Sequence, residues 1–149
     1  MKLYYQYAKD VLSGKIVAGK YMKLACERFE SFLLRGDLEF REKSVEHAIS
    51  FVGILKHYTG RHKGAEFILQ AWQQFIVASI YGFFVKETGE RLTQSVYIEI
   101  ARKNGKTAFG AALCLYHLIA DGENGAEVQL AANSKDQAKV AFKMCSAYN

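Results

Sequence analysis

Proline is absent from all 149 residues, where an average usage of about 5% would supply several. Nothing of that kind interrupts a helix interior, so the chain reads as helix-rich. Cysteine is scarce: Cys26, Cys114 and Cys145 are odd in number, far apart and set among apolar residues. That pattern excludes a disulfide framework, and no pair of ligands stands at zinc-site spacing, so the three are expected as buried thiols. His47, His57 and His62 lie near one another in sequence, but no cysteine or carboxylate cluster completes a metal site with them, and they read as surface or internally bonded histidines. No apolar run approaches the length of a membrane span, and the opening MKLYYQYAKD lacks the apolar centre of a secretion signal. The expectation is a soluble, cytoplasmic protein that meets no membrane. Internal repeats and low-complexity segments are also missing.

Half of the residues are hydrophobic, enough for the core of one domain or of a helical lobe joined to part of a second. The formal net charge is +5, and the excess sits early: twelve Lys or Arg face seven Asp or Glu up to Gly64, against eight and eight from Ala65 onward. Such a balance is read either as a solvated surface of amphipathic helices or as a patch for a nucleic-acid backbone or an acidic partner.

Residues 4–12 and 21–34 carry helical periodicity, the second with Tyr21, Leu24, Ala25, Arg28, Phe29 and Phe32 on one face. Arg35-Gly36-Asp37 reads as the turn after that helix. Ser44 is expected to cap a third helix with Val45, Ala48, Ile49, Val52 and Leu55 inward. The glycine-bounded stretch Gly60–Gly64 is the expected junction, which gives a helical lobe over 1–64 and a second domain over 65–149. There Leu69, Trp72, Phe75, Ile76 and Ile80 form a further helical stripe. Glu87-Thr88-Gly89-Glu90 reads as a hairpin turn that leads into a strand.

The most informative stretch is SVYIEIARKNGKTAFGAALCLYHL, from Ser95 to Leu118. Val96, Ile98 and Ile100 alternate with Tyr97 and Glu99, as a strand does, and after a basic turn Phe109, Ala112, Leu113, Leu115 and Tyr116 recur at helical spacing. The first turn of a helix has unpaired N–H groups and favours phosphate. Gly105 allows close approach of the backbone, Lys106 can reach outer phosphates and the Thr107 hydroxyl can ligate a magnesium ion, as in a G-K-[ST] phosphate loop. The leading glycine of that pattern is missing, because Ile100 stands five residues before Gly105. Residues 127–132 (EVQLAA) then read as another strand, and Ser134 with Gln137 as the cap of a helix carrying Ala138, Ala141, Phe142 and Cys145. Strand, loop, helix, strand, helix predicts an α/β fold with a parallel sheet.

ARKNGKT, the alanine-rich helix after it and AANSKDQAKVAF resemble the start of the ATPase domain of the large terminase subunit of tailed double-stranded DNA phages, a DNA-packaging motor. That family has a deviant phosphate loop with an early arginine and no leading glycine, which Ile100 and Arg102 match. DVLSGKIVAGKYMKLACERF resembles the segment that precedes this domain. The resemblance implies a helical lobe followed by the opening of a P-loop NTPase sheet of the ASCE type with a leading β-hairpin, and it implies ATP and Mg as ligands. It assigns the loop Arg102, Lys103, Asn104, Gly105, Lys106, Thr107 and Ala108 to the phosphates, with Thr107 on the metal and Arg102 and Lys106 as catalytic groups. AWQQFIVASIYGF resembles the segment beside the adenine, so Trp72 is either plain core or pocket wall, and Gln73 is expected on the base edge.

Partners implied by the family are double-stranded DNA, a small terminase subunit and a portal. An acidic pair at the end of a later strand is needed for hydrolysis, and Asp121, at the far end of the helix from Lys106, does not supply it. The chain is therefore expected to be an inactive N-terminal fragment whose uncovered sheet invites self-association. Two other readings stand beside this one: a helical nucleic-acid or protein-interaction module that binds no nucleotide, and another P-loop translocase or helicase.

Overall fold

A computed structural model describes residues 1–57 and 63–148. It contains, in order, α1 (Leu3–Leu12), α2 (Lys20–Leu33), β1 (Leu38–Phe40), α3 (Glu42–Ile54), α4 (Ala71–Tyr81), β2 (Phe83–Val85), α5 (Lys106–Ile119) and α6 (Lys135–Ala147). Two compact units divide these elements, Met1–Ile49 with Leu69–Val96, and Ser50–Ile68 with Tyr97–Asn149. The expected junction at Gly60–Gly64 and His62 lie wholly or partly outside the described residues. Space and sequence divide the chain differently here, because α4, expected to open a second domain after residue 64, packs on α1.

In the first unit α1 lies against both α2 and α4, and aromatic rings fill the space. Phe29 meets Phe40, Phe75 and Phe83 with ring centroids 5.7, 5.3 and 5.2 Å apart, and Tyr4 approaches Phe40 at 6.2 Å. Burying each such ring contributes about 1.5–3 kcal/mol, so this cluster is the main adhesive of the unit. It also sets the rotation of α2. Cys26 and Phe29 are fully buried while Tyr21 is 84% exposed, so the inward stripe starts at Met22 and not, as the periodicity suggested, at Tyr21. β1 and β2 pair antiparallel with Phe40 opposite Phe83. Gly82 turns the chain from α4 into β2 in a space with no room for a side chain, since a Cβ there would stand 2.2 Å from Phe40 Cε2 and 2.6 Å from Ala78 O.

The expected turn at residues 87–90 is present: Gly89 N–H donates to Val85 O at 2.8 Å and Leu92 N–H to Phe83 O at 2.9 Å. Its returning arm makes one isolated bridge, Phe84 to Arg91, and no ladder. Arg35 and Asp37 pair with each other across Gly36, with Arg35 Nε donating to Asp37 Oδ1 at 2.9 Å. The guanidinium holds the Asp37 carboxyl below its usual range. α3 starts at Glu42, so Ser44 lies inside the helix and is not its cap; the first turn closes on Arg41 O.

In the second unit α5 and α6 pack together, and Phe51 stacks edge-on to Tyr116 at 5.6 Å. Ser134 caps α6, its hydroxyl accepting from Gln137 N–H at 3.3 Å. The architecture is thus mixed α/β, a helical lobe with a two-stranded antiparallel sheet. The expected parallel sheet is not formed among the described residues: 93–100 and 126–132 join no ladder. A parallel pair needs a second strand whose free backbone edge lies alongside it, and neither segment has one here. No helix among the described residues is long and apolar enough to cross a membrane.

Candidate functional site

The loop that joins residues 93–101 to α5 is built on two left-handed residues. Gly105 is the N-cap of α5 with φ 71° and ψ 13°, and Lys103, two residues earlier, has φ 69°. Glycine adopts this conformation freely, whereas lysine there costs on the order of 1 kcal/mol, so the surrounding loop must enforce it. Asn104 is one part of that constraint: its Nδ2 donates to Ala101 O at 3.2 Å and to Arg102 O at 3.5 Å, drawing the turn closed. Left-handed residues interleaved in a tight turn aim successive N–H groups to one side and form a concavity for an anion.

The helix continues this arrangement. Its first intrahelical bond runs from Phe109 N–H to Gly105 O at 2.9 Å, which leaves the N–H groups of Lys106, Thr107 and Ala108 directed out of the helix start. No side chain caps them. Arg102, Lys103, Asn104, Gly105, Lys106 and Thr107 are all exposed. None of the three basic residues is tied to an acid among the described residues, so their charge adds to the positive end of the helix dipole. About two turns of apolar packing hold this loop in place: Phe109, Ala112, Leu115 and Tyr116 are buried.

At the opposite end of α5, Asp121 is bound to His117, Nδ1 to Oδ2 at 2.8 Å, and its backbone N–H donates to Tyr116 O. Asp121 therefore closes the helix C-terminus and is separated from Lys106 by the length of α5. The histidines and cysteines form no metal cluster among the described residues. His57 packs its ring on Phe67 at 4.7 Å. Burial pushes the Cys26 thiol up to about 11, helped by Glu30 and Glu27, so it is an inert core group. Cys114 and Cys145 are half-buried and free.

Trp72 and Gln73 belong to the first unit, on the opening turn of α4. Gln73 is 5% exposed and works in a capping box with Gln70: its Oε1 accepts from Gln70 N–H at 2.9 Å, and Gln70 Oε1 accepts from the Trp72 indole N–H at 2.7 Å. The polar residue beside the buried stripe thus has a structural task, which Gln70-x-x-Gln73 could have signalled as a capping box with glutamine in the place of serine. The left-handed Lys103 had no signal in the sequence, since lysine has no preference for that region.

The residues that form the loop, Arg102 to Ala108, are those that the phosphate-loop pattern and the resemblance named, and the structure brings them together at one helix start. Comparison with curated proteins and with solved structures returned no match. A family model described as terminase large subunit, ATPase domain, matches residues 71–148, a span that starts with α4, holds the whole of the loop and α5, and ends after α6. With just over half of its length matched, the chain belongs to the terminase large subunit ATPase domain family.

Proposed function

We propose that this chain is the nucleotide-binding part of a DNA-packaging motor and that the loop Arg102–Ala108 holds the phosphates of ATP. The observation that carries this reading is the exposed helix start, capped by no side chain, with Gly105 left-handed as its N-cap and Lys103 left-handed before it. Outward N–H groups and the dipole favour the phosphate oxygens. Lys106 is a mobile ammonium for the outer phosphates, and Arg102 is the group for negative charge that develops during transfer. Thr107 is exposed beside them, and its hydroxyl would hold a magnesium ion, which would supply positive charge to the phosphates. Trp72 and Gln73 are the proposed adenine side.

In this reading these residues bind and orient the nucleotide. Double-stranded DNA, a small terminase subunit and a portal are the proposed partners, in the cytoplasm of an infected cell.

Calorimetric titration of ATP with and without magnesium tests the reading. Lys106 is exposed, so Lys106→Ala keeps the fold, checked by circular dichroism, and loses the charge-assisted bonds to phosphate, worth about 1.5–3 kcal/mol or roughly 10- to 150-fold in affinity. Equal affinity of the two forms, or the absence of binding by the parent chain, overturns it in favour of a helical interaction module.

A further inference from the structure

The packing of α6 on α5 brings two cysteines of the second unit to one place. Ala111 and Ala112 of α5 are buried, while Ala141 and Cys145, one turn apart on α6, are half-buried. Small side chains on both helices allow their axes a close approach. Cys145 Sγ lies 3.6 Å from the Ala111 carbonyl oxygen, to which its thiol donates. Cys114 stands three residues after Ala111 on α5, and a helical side chain at that offset leans back over the turn before it. Both sulfurs therefore meet the same patch of α5. Each is half-buried and free. Burial pushes both thiols above their usual range, and Cys145 adds to the effect on Cys114, as a neighbouring sulfur does. Packing alone does not call for sulfur at both positions, since alanine fills the same faces one turn away.

We infer that Cys114 and Cys145 are a reversible dithiol–disulfide pair that fastens α6 to α5. An odd number of cysteines excludes a permanent framework but leaves room for one transient bond beside a core thiol, which is the form that disulfides take in a reducing compartment. The third cysteine, Cys26, is fully buried in the first unit and takes no part.

The co-reactant is a peroxide. The thiolate of one cysteine attacks a peroxide oxygen, the O–O bond breaks, and a sulfenic acid forms with release of one water. The second sulfur attacks the first, the S–O bond breaks, and the hydroxyl leaves with the second thiol's proton as another water. Each sulfur gives up one electron, and the two together reduce the peroxide. A small dithiol reverses the bond by exchange. Because burial keeps both thiols protonated, the first step is slow and answers to sustained oxidation. The bond closes residues 115–144 into a loop, which restricts the unfolded chain and leaves the oxidised form the more stable of the two.

The test treats the chain with excess hydrogen peroxide, blocks remaining thiols with N-ethylmaleimide in denaturant and maps tryptic peptides by mass spectrometry without reductant. Trypsin leaves Cys114 in peptide 107–135 and Cys145 in peptide 144–149. The expected product is these two peptides joined, lighter by two hydrogens, with Cys26 carrying the maleimide. Its Tm is expected to exceed that of the reduced chain by roughly 5–15 °C, and dithiothreitol should abolish the difference. Cys114→Ala and Cys145→Ala are expected to show neither the joined peptide nor the peroxide-dependent shift. If an alanine form loses its helical circular dichroism signal, Cys114→Ser or Cys145→Ser replaces it.

Oxidation of either thiol to sulfinic acid with no joined peptide overturns the inference. So does a bond to Cys26, a bond between two chains on a non-reducing gel, or a peroxide-dependent shift that persists in the single variants. No nucleotide enters the measurement, so its outcome and that of the ATP titration are independent.

Discussion

Replacing Gly105 by alanine tests whether the loop before α5 is held in its left-handed shape by the fold. A Cβ built on Gly105 meets nothing within 4 Å, so the substitution adds no clash. The whole effect then comes from the backbone, whose φ of 71° costs an L-residue about 1–2 kcal/mol. Against this, alanine restricts the unfolded chain and returns about 0.4–1 kcal/mol. The expected net loss is on the order of 0.5–1 kcal/mol, or roughly 1–4 °C in Tm for a chain of this size. Gly105→Asn is expected to lose less, because asparagine tolerates the left-handed region better than other L-residues. Urea unfolding followed by far-ultraviolet circular dichroism, with the slope of the transition checked for constancy, measures both variants. An alanine variant as stable as the parent, or an asparagine variant worse than alanine, refutes a left-handed Gly105 and with it the outward fan of N–H groups on which phosphate binding depends.

Two further outcomes follow from the first unit. Gly82→Ala is expected to cost about 3 kcal/mol, at the upper end of the range for overpacking, because Phe40 and the Ala78 carbonyl both obstruct the new methyl; urea unfolding of this variant against Gly105→Ala checks it, and similar losses in the two refute the steric account. Burial raises the Cys26 thiol to about 11 from its usual 9, with Glu30 and Glu27 adding to the effect. The thiol is therefore neutral in the fold at a pH where the unfolded chain has already lost the proton. Its contribution is complete below pH 9 and is lost as pH rises through 11, at most about 3 kcal/mol in all. Urea midpoints measured from pH 8 to 11 should fall more steeply in the parent chain than in Cys26→Ala.

The helices were legible because each has an apolar stripe and few interruptions, yet the rotation of α2 was not. The expected face of Tyr21, Leu24, Ala25, Arg28, Phe29 and Phe32 holds the buried Phe29 and the half-buried Ala25 and Phe32, but it takes in Tyr21, which is 84% exposed, and omits the buried Cys26. The choice belongs to Phe40, Phe75 and Phe83, distant in sequence, which meet Phe29. The start of α3 was misplaced for a similar reason: Ser44 is the better intrinsic cap, but Arg41 N–H donates to Gly82 O at 2.8 Å, and that tertiary bond fixes where the extended chain ends. The phosphate-loop candidate, by contrast, is a local device. A helix start, a glycine and a lysine within a few residues suffice, so its elements could be named without knowledge of the rest.

The extended segments mark the limit of that kind of reading. Alternation of apolar and polar residues reports which way side chains face and says nothing about which backbone lies alongside. In residues 126–130 the facing is as expected: Ala126, Val128 and Leu130 are half-buried while Glu127 and Gln129 are exposed. Ile98 and Ile100 are likewise more buried than Tyr97 and Glu99. Residues 126–130 thus keep the period of two, and 97–100 do so although Val96 before them is 49% exposed, in neither case with the ladder that the pattern implies. A helix satisfies its own N–H and C=O groups, so its periodicity and its hydrogen bonds arrive together; a strand borrows its partners from elsewhere in the chain. Pattern can therefore place Val128 and Leu130 beside α6, where they line a basin with Ala138 and Phe142, and still leave the parallel pairing undecided. The phosphate loop depends on the first kind of information, since its N–H groups belong to a helix start that α5 makes by itself.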